Sequence, residues 1–204
     1  EADFVILGAP LDMTSTFRAG CRFAPLAIRQ ASLNLETYSF RARMDAEDLM
    51  VHDLGDLHIT GNMDETLSQL ELVVKEILEV KKLPVLIGGE HTIAFGATKG
   101  VDKNVAIVSF DAHLDMRNEY MGLTTSHTTF MRRIHEQVKP QKILEIGTRA
   151  ACKEELDFAK KQRIQFLTVQ QILKDGLKKT LQKIGNSLSD FNKVYLTIDM
   201  DVLD

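Results

Sequence analysis

Short uninterrupted apolar runs recur along the chain, and most are followed by a segment of helical character. The runs lie in "DFVILGAP" (3–10), "VLIGG" (85–89), "NVAIVSF" (104–110), "KILEIG" (142–147), "IQFL" (164–167) and "KVYLTID" (193–199). A strand with one face in water alternates apolar and polar residues. A strand covered on both faces has no need to. The pattern therefore predicts an α/β fold, a three-layer α/β/α sandwich with a mostly parallel central sheet. Helices are predicted over 24–40, 63–82, 126–138, 152–162 and 169–184. In the second of these Asn62 is suited to cap the start, with Glu65 three residues on. Leu67, Leu70, Val73, Val74, Ile77 and Leu78 then form one apolar stripe. At 204 residues and 44% hydrophobic, the chain suits a single domain with a sizeable core.

Composition excludes several classes of function. The formal net charge is -4, so there is no basic excess of the kind nucleic-acid binders carry. No apolar run approaches the roughly 20 residues that a membrane helix needs. Two cysteines, Cys21 and Cys152, make neither a disulfide framework nor a CxxC metal site. They read as idle thiols in a reducing compartment, and the expected location is cytoplasmic. The sequence stops just after the strand-like "YLTIDMDVLD", so the C-terminal part of the domain is expected to be missing.

Three polar clusters follow three of the apolar runs. "GGEHT" (88–92) follows "PVLI", "DAHLD" (111–115) follows "AIVSF", and "DMDVLD" (199–204) follows "VYLTI". Open parallel sheets bind ligands beyond the carboxyl ends of their strands, so all three clusters are expected at one sheet edge. If "DAHLD" stays extended, the i, i+2, i+4 spacing sends Asp111, His113 and Asp115 one way. Carboxylates crowded together resist joint ionisation, and a bound cation relieves that. Pooled with Asp199, Asp201 and His91, the set holds four carboxylates and two imidazoles. Such donors suit manganese, magnesium or iron, with zinc and cobalt left open. Six ligands exceed one ordinary site. Two ions roughly 3.5–4 Å apart, sharing an activated water, would use them all and point to metal-assisted hydrolysis. Taken singly, each cluster also has an ordinary explanation as a cap, a loop or a packed polar residue.

The motifs "GGEHT", "SFDAHLDMR" (109–117) and "TIDMDVLD" (197–204), with "GAPLD" and "RAGCRFAPLAIR" before them, closely resemble the ureohydrolases, the arginase and agmatinase superfamily. The resemblance covers nearly the whole chain, taken as one catalytic domain over 1–204. It implies an arginase-like fold, a centre of two manganese ions per subunit, and hydrolysis of guanidinium groups to urea and an amine. It implies that His91 and Asp115 hold one ion, that His113 holds the other, and that Asp111 and Asp199 bridge them. Asp201 would lie on the side of either His113 or His91. It further implies that His127, in "TSHTTFMRR", shuttles protons, with Asp115 as a second proton carrier. By itself His127 reads equally well as a helix-cap neighbour. Glu90, where arginases carry aspartate, and the loop "MRNEYMGLTTSHTT" resemble the agmatinase branch. The implied substrate is therefore agmatine, on a route to putrescine. An arginase, another guanidino-acid or formimino hydrolase, and a non-catalytic metal-binding homologue are the alternatives. Arg117, Asn118, Glu119 and Tyr120 are candidates for shaping the entrance. The implied partner is a small guanidino substrate in a homo-oligomer, trimer or hexamer.

Overall fold

The computed structural model describes residues 2–203. The chain divides into two compact units, 1–101 and 102–204.

In the first unit, strands β1 (Phe4–Ala9), β4 (Val51–Asp56) and β5 (Leu83–Gly88) form a parallel sheet in the order β4-β1-β5. A two-residue hairpin, β2 (Tyr38–Ser39) with β3 (Met44–Asp45), stands apart from it. Helix α1 runs Ala24–Ser32, and α2 runs Met63–Glu79. The Asn62 side chain accepts the Glu65 N–H at 3.2 Å, as a cap should. Leu67, Leu70, Val74 and Ile77 are buried, as the stripe requires. Helix α3 (Ile93–Lys99) was not expected from the sequence. It packs so close to α2 that a Cβ at Gly96 would come within 2.9 Å of the Leu67 carbonyl oxygen.

In the second unit the parallel sheet has the order β8-β7-β6-β9. Its strands are β6 (Ala106–Phe110), β7 (Lys142–Thr148), β8 (Gln165–Thr168) and β9 (Val194–Ile198). The helices are α4 (Phe130–Arg133), α5 (Lys153–Gln162) and α6 (Val169–Leu188). Val108, Leu144, Ile146 and Leu167 form a core cluster on one sheet face, against Ile172, Ile184 and Leu188 of α6. Gly176 interrupts α6 at φ 75°, a backbone angle that glycine tolerates best.

The alternation of parallel strands and helices is as expected. Helix α2 ends three residues before the predicted 82, and two other helices are much shorter than their periodicity predicts. The segment 24–40 leaves the helix after Ser32 and enters the β2–β3 hairpin, leaving Leu33, Leu35 and Phe40 exposed. In 126–138 the first turn is taken by side chains. Thr129 Oγ1 accepts the Ser126 N–H at 2.8 Å and donates to the Thr124 carbonyl at 3.0 Å. Such local bonds compete with a helix. Regular helix begins only at Phe130 and relaxes into a π-turn over Ile134–Val138.

Candidate metal centre

From β6 the second sheet grows through β7 to β8 on one side, and β9 then joins the other side of β6. Where strand order reverses in this way, the loops diverge and leave a crevice beyond the strand ends. The register sets Phe110 opposite Ile198, so Asp111 and Asp199 leave adjacent strand ends together. Both aspartates turn the chain by the same device. Asp111 Oδ1 accepts the His113 N–H at 2.7 Å, and Asp199 Oδ1 accepts the Asp201 N–H at 3.0 Å. The two turns are laced to each other. The Asp199 N–H donates to the Phe110 carbonyl at 2.8 Å, and the Ala112 N–H donates to Asp201 Oδ1 at 3.1 Å.

The lacing concentrates acceptors. His113 Nδ1 lies 3.0 Å from Asp201 Oδ2 and 3.6 Å from Asp111 Oδ1. One donor atom each from Asp111, His113 and Asp201 falls within 4.8 Å of the others, and the same spacing relates Asp111 to Asp115. Asp111 thus belongs to two donor groups. It is 2% exposed. The Asp111 carboxylate first, and then Asp201, push the His113 imidazole up to about 10. These carboxylates therefore favour positive charge where the donors meet. Carboxylate oxygen and imidazole nitrogen, without thiolate, fit a hard or borderline divalent cation.

One expectation for this segment is corrected. "DAHLD" is not extended throughout: the chain bends at Ala112 and His113, and Asp115 has φ 50°. Strand geometry therefore does not align the three side chains. The turn bond from Asp111 and the left-handed Asp115 replace it in bringing the donors together.

In the first unit, His91 is buried in the turn between β5 and α3. The glycines before it are there for close approach. A Cβ on Gly89 would meet the Leu11 carbonyl oxygen at 1.9 Å. Glu90, also buried, holds the loop after β1. Its Oε2 accepts the backbone N–H groups of Met13 and Thr14 at 3.0 and 2.7 Å. Its Oε1 accepts the hydroxyls of Thr14 and Thr92 at 2.9 and 2.8 Å. The sequence offered Glu90 only as a family mark. Its partners 76 and 77 residues away gave no local signal.

His127 is half-buried in the turn before α4. Arg117 stacks over the Tyr120 ring at 5.1 Å, and Tyr120 and Leu123 exchange two backbone bonds of 2.9 Å. Asn118 Oδ1 accepts from Arg133 Nη2 at 3.2 Å. The proposed entrance residues Arg117, Asn118 and Tyr120 therefore sit in an organised loop. Both cysteines are free, and burial pushes the Cys21 thiol up to about 11.

The profile of the arginase family matches residues 2–204. The chain belongs to the arginase family. It is 37% identical to an agmatinase of Bacillus subtilis over its whole length, and covers 69% of that protein. It is 42% identical to an uncharacterised 32.2 kDa protein of Methanothermus fervidus, with 98% of the chain and 69% of the relative aligned. The solved agmatine ureohydrolase of Thermoplasma volcanium superposes with a TM-score of 0.90 at 32% identity, over 98% of this chain and 68% of that one. The fold is thus the arginase-like α/β fold, and the chain is a family hydrolase of the agmatinase-like kind. Among the described residues no helix is long and apolar enough to cross a membrane.

Proposed function

We propose that the chain hydrolyses the guanidinium group of agmatine to urea and putrescine, with two manganese ions per subunit. The observation that carries this reading is the laced pair of strand ends, with Asp111 shared between two groups of donor atoms. Asp111 and Asp199 would help to hold the ions. Asp201 and His113 would also help to hold them, consistent with their 3.0 Å separation. Asp115 would help to hold them, and His91 is a further candidate ligand. The agmatinase and agmatine ureohydrolase names of the relatives support the substrate.

When bound, such a pair of ions supplies Lewis acidity and lowers the pKa of water. The chain's own residues then manage protons and position. The amine must leave protonated, because its anion is a very poor leaving group. Asp115 is the local carrier of that proton. His127 exchanges protons with solvent, since an ordinary imidazole titrates near neutrality. The loop carrying Arg117 and Tyr120 shapes the entrance for a substrate that has no carboxylate. The assembly is a homo-oligomer, trimer or hexamer.

The test is urea release from agmatine, arginine and guanidinobutyrate by the manganese-loaded full chain. Agmatine is expected to be fastest. Faster release from arginine would move the assignment to an arginase. No urea from any guanidino compound would defeat the enzymatic reading.

A further inference from the structure

Asp115 adopts φ 50°, a region that residues other than glycine occupy uncommonly, aspartate more readily than most. The surroundings here are specific. The Asp115 carbonyl accepts the Met131 N–H at 3.2 Å, and the Arg117 N–H donates to the Thr128 carbonyl at 3.2 Å. Between these, the Met116 N–H donates to Glu155 Oε1 at 3.1 Å. Glu155 lies 39 residues further along, in the first turn of α5, and is only 4% exposed.

Helix capping accounts for half of this carboxylate. Glu155 Oε2 accepts the Cys152 N–H at 2.8 Å and closes the capping box of α5. That task needs one oxygen and works at an exposed surface. The second oxygen reaches out of the helix to the peptide that follows Asp115. Burying a carboxylate is costly unless hydrogen bonds compensate, and this one is compensated from two elements at once.

We infer that Glu155 is a positioning residue for the metal centre, which tethers the Met116 peptide and thereby holds the left-handed backbone of Asp115. This rests on the metal-dependent reading above. The direction of the Asp115 carboxylate follows from its backbone angles. Without the tether, Asp115 relaxes toward negative φ, and its carboxylate swings away from Asp111, which it now approaches within 4.8 Å. Outer partners that orient ligands commonly govern metal affinity by about 10–100-fold.

The experiment titrates Mn2+ into the metal-free full chain, reading free ion by its EPR signal, and also records Tm and urea release. Three variants are compared with the wild type. Glu155→Ala removes both acceptors. Glu155→Gln leaves one. Gln171→Ala breaks the equivalent capping box of α6, where Gln171 Oε1 accepts the Thr168 N–H at 2.9 Å. Glu155→Ala is expected to lose about 10–100-fold in Mn2+ affinity. Its KM for agmatine at saturating Mn2+ should stay unchanged. Glu155→Gln should fall between it and the wild type. Gln171→Ala should lower Tm and leave Mn2+ affinity alone. Glu155→Ala with lowered Tm but wild-type Mn2+ affinity would overturn the inference. Should that variant not fold, wild-type affinity in Glu155→Gln overturns it equally. A wild type that binds Mn2+ yet releases no urea defeats the agmatine reading alone, and the binding comparison still decides the role of Glu155. A wild type that binds no Mn2+ overturns both.

Discussion

Glu90 in the first unit and Asp111 in the second both follow a parallel strand, and both are almost wholly buried, at 5% and 2% exposure. Glu90 gathers four hydrogen-bond donors from Met13, Thr14 and Thr92, so its charge is spent on holding a loop. Asp111 accepts the His113 N–H but is set beside Asp115, Asp201 and the His113 imidazole. The carboxylates of Asp115 and Asp201 add negative charge around it, and the His113 imidazole answers only part of that charge. Burial alone does not mark a metal ligand. What makes Asp111 a candidate ligand is a surrounding set of acceptors that a bound cation would satisfy together.

The comparison can be broken most directly at Asp111. Asp111→Asn keeps the shape and removes the charge. Urea release and Mn2+ affinity should each fall by more than about 100-fold, beyond the range that outer partners command. A variant with near wild-type Mn2+ binding would show that Asp111 is, like Glu90, a structural carboxylate. Glu90→Ala should act chiefly on stability. It leaves the buried Thr92 hydroxyl and three part-buried donors unanswered and should cost about 1–3 kcal/mol in chemical denaturation. Wild-type stability in that variant would erase the distinction from the other side.

The smallest effect is expected at Asp175, whose charge is answered by lysines. Lys179 Nζ approaches it at 2.8 Å, Lys183 also reaches it, and the two hold the carboxyl down at about 2. Because the folded value is depressed, the stabilisation is present above the unfolded carboxylate value of about 3.9 and is lost as pH falls through about 2. Asp175→Asn should therefore be slightly less stable than wild type at neutral pH. The gap should narrow on acidification and shrink with added salt. A gap that widens toward acid would contradict the sign.

Much of the fold was legible because buried parallel strands are apolar on both faces, and such runs stand out in any window. Helix α2 was legible for the opposite reason, since only one side of it is apolar. Helix α3 was missed because Ile93 to Thr98 are buried all round, so no period appears. The segment 24–40 was read too long because its apolar residues keep a helical spacing, yet Leu33, Leu35 and Phe40 stay exposed. Glu155 was missed because nothing near it in the chain reveals Met116 as its partner.

The residues alone determined the alternation of strand and helix, and which side chains are capable of holding a divalent cation. Both are properties of composition and local spacing. Only the tertiary structure decided that Asp111 and Asp199 are neighbours, through the pairing of Phe110 with Ile198. It alone set Asp115 in a left-handed turn and aimed Glu155 at the peptide beyond it. Sheet register and bonds across 39 residues depend on how distant segments pack. No local pattern carries that information.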